Sequence, residues 1–134
     1  MISDKMKRFI EEVDFAFVAS ADQRARPHLA AGRGLKVPDP RHIVFEAWFC
    51  SRTLENVSEV PRIALAVVDP LTGAGYQLVC FVESTSSIGI LDGFAPEVEE
   101  TGMPQVETRL VARVEEILEF SQGPHTDHPI AAES

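Results

Sequence analysis

The chain has 134 residues, of which 45% are apolar, so it is one domain's worth and long enough to bury about 70% of its unfolded surface. Its net charge of −9 excludes bulk attraction to nucleic acid or to an anionic membrane surface, and its apolar runs fall well short of the ~20 residues a spanning helix needs. The charge is uneven, because between residues 24 and 62 seven cations (Arg24, Arg26, Arg33, Lys36, Arg41, Arg52 and Arg62) face only Asp39, Glu46, Glu55 and Glu59, a local excess suited to a small anion.

In chain order, residues 3–13 predict a helix. Met6, Phe9, Ile10 and Val13 share one face, Ser3 can cap it, and Asp4 suits the positive end of its dipole. The period then shortens. Phe15–Ser20 reads as a buried strand and Asp22–Arg24 as a turn. Arg26–Val37 reads as a second strand, in which Gly32 and Gly34 mark a bulge or a close backbone approach. Pro38-Asp39-Pro40 turns the chain into a third strand, His42–Phe49, with Trp48 in the core. Ser51–Val60 predicts a short helix: Ser51 or Thr53 caps it, Leu54 and Val57 face inward, and Pro61 stops it. Ile63–Val68 is apolar throughout, which predicts a strand covered on both faces. A turn at Asp69-Pro70 and Gly73–Gly75 brings the chain back as Tyr76–Glu83. Pro96–Thr101 reads as a short acidic helix ended by Gly102. Val106–Phe120 reads as the last long strand, with Val106, Thr108, Leu110, Ala112 and Val114 on one side. Residues 121–134 read as an extended tail of the same domain. Six strands with only short helices between them predict a mainly β fold, a closed antiparallel barrel.

The helix beginning Ser51-Arg52-Thr53 is the best candidate anion site. Free N–H groups, the helix dipole, two hydroxyls and a guanidinium meet there. The competing reading is plain capping with Arg52 in solvent. Arg33 stands between two glycines, which let a flat ligand approach the backbone while the guanidinium meets a phosphate. The competing reading is a bulged strand with a surface arginine. His125 and His128, with Asp127 between them, lack the further ligands a metal needs and read as solvated, so no metal is expected. His28 and His42 lie on strands and read as hydrogen-bonded structural residues. Cys50 and Cys80 read as small core residues. With no apolar leader at the N-terminus, a reducing, cytoplasmic setting is expected. No nucleophile motif is present and neither cysteine has a histidine nearby in sequence, so no catalytic side chain is assigned.

Four segments, FAFVASADQRARPHLAAGRGLKV, RHIVFEAWFCSRTLENVSEVPRIALAVVDP, GAGYQLVCFVES and TRLVARVEEILEFSQGPH, cover most of residues 15–125. Their order and spacing, with RPHL, the T-x-x-N-V of Thr53 to Val57, P-R-I-A-L and G-Y-Q-L, resemble the pyridoxamine 5′-phosphate oxidase-like, FMN-binding split-barrel family, in its small single-domain members. The resemblance implies a six-stranded Greek-key barrel, a homodimer, and FMN at the subunit interface. It places the phosphate at Ser51, Arg52 and Thr53, and the flavin ring along Ala31, Gly32, Arg33, Phe49 and Cys50. It has the partner subunit supply residues near Pro124 and His125. Asn56 matches a recurrent helix asparagine, read as structural.

Two departures shape the expectation. After G-Y-Q-L, relatives often carry Lys or Arg and then Gly, where this chain has Val79 and Cys80, so Arg33 and Arg52 carry more of the phosphate's charge. The short AAGRG stretch lacks the aromatic or amide side chains of some relatives, which leaves a deazaflavin as an alternative cofactor. The implied function is an FMN-dependent oxidoreductase acting on a small molecule. Two alternatives stay open. One is a non-catalytic flavin module that carries electrons to a redox partner protein. The other is a barrel dimer that has lost its cofactor and acts as an interaction protein.

Overall fold

A computed structural model describes residues 1–90 and 106–130. Helix α1, Asp4–Val13, begins where Ser3 Oγ accepts the Met6 N–H at 3.2 Å, as its capping residue predicts. It stops at Asp14, whose left-handed backbone (φ 51°) turns the chain into the first strand and whose carboxylate accepts the Leu35 N–H at 2.8 Å. The strands are β1 Phe15–Ala21, β2 Pro27–Asp39, β3 His42–Trp48, β4 Arg62–Val68, β5 Gly75–Ile90 and β6 Val106–Phe120, with helix α2, Ser51–Glu59, between β3 and β4.

These strands close an antiparallel barrel in the order β1-β2-β3-β6-β5-β4. The predicted mainly β barrel is therefore what forms. Its Greek-key neighbours are β3 with β6 and β1 with β4, the latter in the register Phe17↔Ala66, Val18↔Leu65 and Ala19↔Ala64. Strand alternation fills the interior. Val18, Leu35, Phe45, Trp48, Leu65, Leu78 and Leu110 are all buried there. On β2 the inward set is even-numbered as far as Gly34 and odd-numbered from Leu35. That change of parity falls where Gly34 takes φ +75°, a conformation costly for any side chain. Gly32 answers the other half of the expectation. A Cβ there would lie 2.3 Å from the Trp48 ring, so the indole packs directly on the β2 backbone.

Helix α2 lies across one end of the barrel with Thr53, Asn56 and Val57 buried. Asn56 Nδ2 donates to Ser20 Oγ at 3.0 Å, which pins the helix to β1 in the structural role expected for it. No helix among the described residues is long and apolar enough to cross a membrane.

Several boundaries differ from the sequence reading. Strand β2 runs through Pro38 to Asp39, because the β2–β3 ladder is already irregular between Lys36 and Asp39 and the missing proline N–H breaks no bond there. Strand β5 continues past Glu83 to Ile90 although its residues lose apolar alternation. The long β6 offers backbone partners from Val111 to Val106 along that stretch. On β4 only Ile63, Leu65 and Val67 are buried. Ala64, Ala66 and Val68 face outward and stay half-exposed in the single chain, so the second face is not covered by this chain. The acidic helix predicted at Pro96–Thr101 lies outside the described residues.

Candidate functional site

The site region begins where β3 ends. The Trp48 indole N–H donates to the Cys50 carbonyl at 2.9 Å, which fixes the step from strand to helix. Trp48 turns inward and Phe49 outward, the latter 44% exposed. Cys50 is the residue that caps α2, and its side chain makes no capping hydrogen bond. This corrects the expectation that Ser51 or Thr53 caps the helix. Both lie inside its first turn, one and three residues past the capping position. Ser51 and Arg52 are exposed. Thr53 is fully buried, and its Oγ1 has no hydrogen-bond partner among the described residues.

A groove of about 330 Å³ lies on the outer face, lined by Ala31, Gly32, Arg33 and Gly34 of β2 with Phe15, Ala47 and Phe49. The registers Phe15↔Arg33 and Arg33↔Ala47 bring three strands together at this point. A larger cavity of about 810 Å³ shares Phe15 and Arg33 with the groove and extends between the end of α1 and the β4–β5 turn. Beside the first turn of α2 a polar cleft of about 480 Å³ is lined by Arg26, His28, Arg52 and Asn56 together with the acids Asp22, Glu55 and Glu59.

Charge in this region sorts by pairing. Arg26 is held by Asp22 at 2.6 Å and Arg62 by Glu115 at 2.9 Å, so these two cations of the basic stretch are not simply solvated. Arg24, Arg33, Lys36, Arg41 and Arg52 have no ion-pair partner among the described residues, and of these Arg33 lies on the groove and Arg52 on the cleft. The geometry thus gives a shallow groove of small residues, and next to it an uncapped helix N-terminus. Two unpaired guanidinium groups flank them.

A family model described as pyridoxamine 5′-phosphate oxidase matches residues 2–120. The chain belongs to the pyridoxamine 5′-phosphate oxidase family. Solved structures share the fold. HupZ of Group A Streptococcus superimposes with a TM-score of 0.67 at 22% identity, over 94% of this chain and 99% of that one. An FMN-binding protein from Syntrophomonas wolfei gives 0.64 at 14% identity, over 90% and 87% of the two chains. An F420 reductase gives 0.63 at 14% identity, over 87% and 98%. No curated protein matches the chain.

Within this pyridoxamine 5′-phosphate oxidase family barrel, Ala31, Gly32, Arg33 and Phe49 come together in one groove, and Ser51 and Arg52 stand at the adjoining helix start. Cys50 is placed differently. It is half-buried and does not line the groove, and its Sγ lies 3.3 Å from His28 Nε2. Cys80 is fully buried in the core as expected, and Cys50 is half-buried, packed against the core from its edge. Pro124 and His125 are exposed and line none of these clefts. The His125 ring Nδ1 pairs with the Gly123 carbonyl at 2.7 Å, and its Nε2 lies 3.2 Å from Asp127. The tail they belong to is tied to β6 where the Ile130 N–H donates to the Ile117 carbonyl at 2.7 Å. Phe15 and Ala47 escaped the sequence reading. Nothing local distinguishes an outward strand residue beside a groove from one beside solvent.

His42 bridges two acids, with Nδ1 2.9 Å from Asp39 and Nε2 2.6 Å from Glu83. Its proton affinity is raised, first by the hydrogen bond to Asp39 and then by that to Glu83. The folded state therefore holds this proton more tightly than the unfolded chain. The resulting stability is fully present below the ordinary value of 6.5 and is lost as pH rises through the elevated folded value. Tm should fall as pH is raised from about 6 to about 8, and His42→Gln should flatten that decline. An equal slope in both proteins would rule out the network as its source.

Proposed function

We propose that this family member is a cytoplasmic homodimer that binds FMN and uses it to oxidise or reduce a small molecule. The carrying observation is that the small-residue groove adjoins an α2 N-terminus that no side chain caps, with Arg33 and Arg52 both unpaired. The residues fit the group. Ala31, Gly32, Gly34 and Ala47 leave room for a flat ring, and Phe15 and Phe49 offer it apolar contact. Ser51, Arg52, Arg33 and the free N–H groups of α2 would hold a phosphate dianion. The orphaned Thr53 hydroxyl belongs to the same turn. Bound FMN supplies the hydride or electron transfer, and the chain supplies binding, orientation and exclusion of water.

The dimer reading rests on an uncovered apolar strip. Phe17, Leu29 and Phe120 are 46%, 65% and 38% exposed around the small outward residues Ala19, Ala64 and Ala66. A second copy laid on this strip buries the outer face of β4 and deepens the groove, bringing in the partner's Pro124 and His125. Phe17→Glu should then give a monomer in sedimentation and lose FMN affinity with it. A wild-type protein that sediments as a monomer would overturn the interfacial site.

The direct test is the spectrum and mass of whatever small molecule copurifies, followed by parallel titrations with FMN and a deazaflavin cofactor. Failure to bind FMN at high concentration removes the reading. Turnover with a reduced nicotinamide and a panel of acceptors separates an enzyme from an electron carrier that only binds the flavin.

A further inference from the structure

The barrel end beneath α2 holds a nucleophile and a base that the cofactor reading does not use. His28 and Cys50 are 22 residues apart in sequence, and the fold sets His28 Nε2 3.3 Å from Cys50 Sγ. Both are half-buried. His28 pairs in register with Ser20, whose hydroxyl accepts from Asn56 of α2, so the backbone that carries His28 runs beside the residue that holds the helix. His28 also lines the polar cleft that carries Arg26 and Arg52, which opens the histidine side of the pair to a polar reagent. Cys50 Sγ makes no capping bond to α2, which leaves it to His28. Cys80 has none of this. It is fully buried, and burial pushes its thiol up to about 12.

We propose that Cys50 is a peroxide-reactive thiol with His28 as its base, and that its oxidation obstructs the start of α2. With the imidazole proton on Nδ1, Nε2 takes the thiol proton. Sulfur then attacks the distal oxygen of a hydroperoxide. The S–O bond forms as the O–O bond breaks, sulfur gives up two electrons, and the proton passes from His28 to the departing oxygen. The products are Cys50 sulfenic acid and water, or an alcohol from an organic hydroperoxide. Cys80 is sealed in the core, so no second thiol of this chain resolves the product. The added oxygen lies at the first residue before α2, beside the turn where the phosphate is proposed to bind. That second half rests on the FMN reading.

The test uses the full chain freed of flavin, hydrogen peroxide as oxidant, dimedone as the sulfenic-acid trap, and mass spectrometry to locate the label. Label is expected on Cys50 and not on Cys80. His28→Ala should slow labelling at least about tenfold, and added imidazole should restore much of the rate, which a merely structural role would not allow. His28→Gln, with circular dichroism, covers loss of folding in the alanine variant. An unlabelled Cys50, or a labelling rate unchanged in a folded His28 variant, overturns the proposal. Saturating FMN should also slow labelling of the wild type. If Cys50 labels through His28 but FMN gives no protection, the pair stands and the obstruction is wrong. If the protein binds no FMN at all, the function reading fails while the labelling result keeps its meaning.

Discussion

Trp48→Ala should lower stability by about 3–5 kcal/mol, the loss typical of removing a buried tryptophan. The indole is 1% exposed and meets Phe45 edge-on, with ring centroids 4.9 Å apart. It lies against the bare backbone of Gly32, where no side chain exists to swing into the vacated space. The substitution also removes the donor to the Cys50 carbonyl, the bond that sets the angle between β3 and α2. Trp48→Phe refills part of the cavity without that donor and should cost less. Denaturant unfolding checks both, read as a lower midpoint at an unchanged slope. A midpoint for Trp48→Ala equal to the wild type would show that Gly32 and Phe45 do not depend on the indole.

Arg52→Ala should weaken FMN binding by roughly ten- to a hundredfold, the worth of one charge-assisted hydrogen bond of about 1.5–3 kcal/mol. Riboflavin is the control because it keeps the ring and ribityl chain and lacks the phosphate. Its affinity should change little, since Arg52 lies on the polar cleft beside α2 and not among the groove residues. Arg33→Ala should weaken both ligands, FMN the more, because Arg33 lines the groove itself and also carries part of the phosphate's charge. Equal losses for FMN and riboflavin in Arg52→Ala would move the phosphate elsewhere. Isothermal titration of the wild type and both variants with each ligand reads the whole pattern.

Much of this was legible in the residues alone. Val106–Phe120 alternates as far as Val114, and β6 has those bounds, the inward set moving to Ile117 past the bulge opposite Val79 and Cys80. Ser3 before an apolar helical face marks the start of α1, and Ser3 caps it. The glycine pair on β2 signals a close approach and a special backbone, and Gly32 and Gly34 supply one each. For Ser3 and for the alternation of β6 the signal and its cause lie within one turn or a few pleats of each other, whereas the close approach at Gly32 is made by Trp48 of the next strand. The helix start after β3 was legible for the same reason as Ser3, since a helix start is a local event.

Tertiary structure decided the rest. No local pattern shows that β5 runs on to Ile90, because its polar residues are held by backbone pairing with a strand that arrives later in the chain. The sequence shows seven cations between 24 and 62 with equal formal charge. Only the packed barrel gives Arg26 and Arg62 their acids and sets Arg33 on the groove and Arg52 on the cleft. The His28–Cys50 pair is the clearest instance. Neither residue has its partner nearby in sequence, and both read as structural. The register of β2 against β1, and the passage of β3 into α2, bring a base within 3.3 Å of a thiol. Periodicity and caps report on neighbours along the chain. A reactive or binding constellation depends on distances across it, which are set only when the barrel closes.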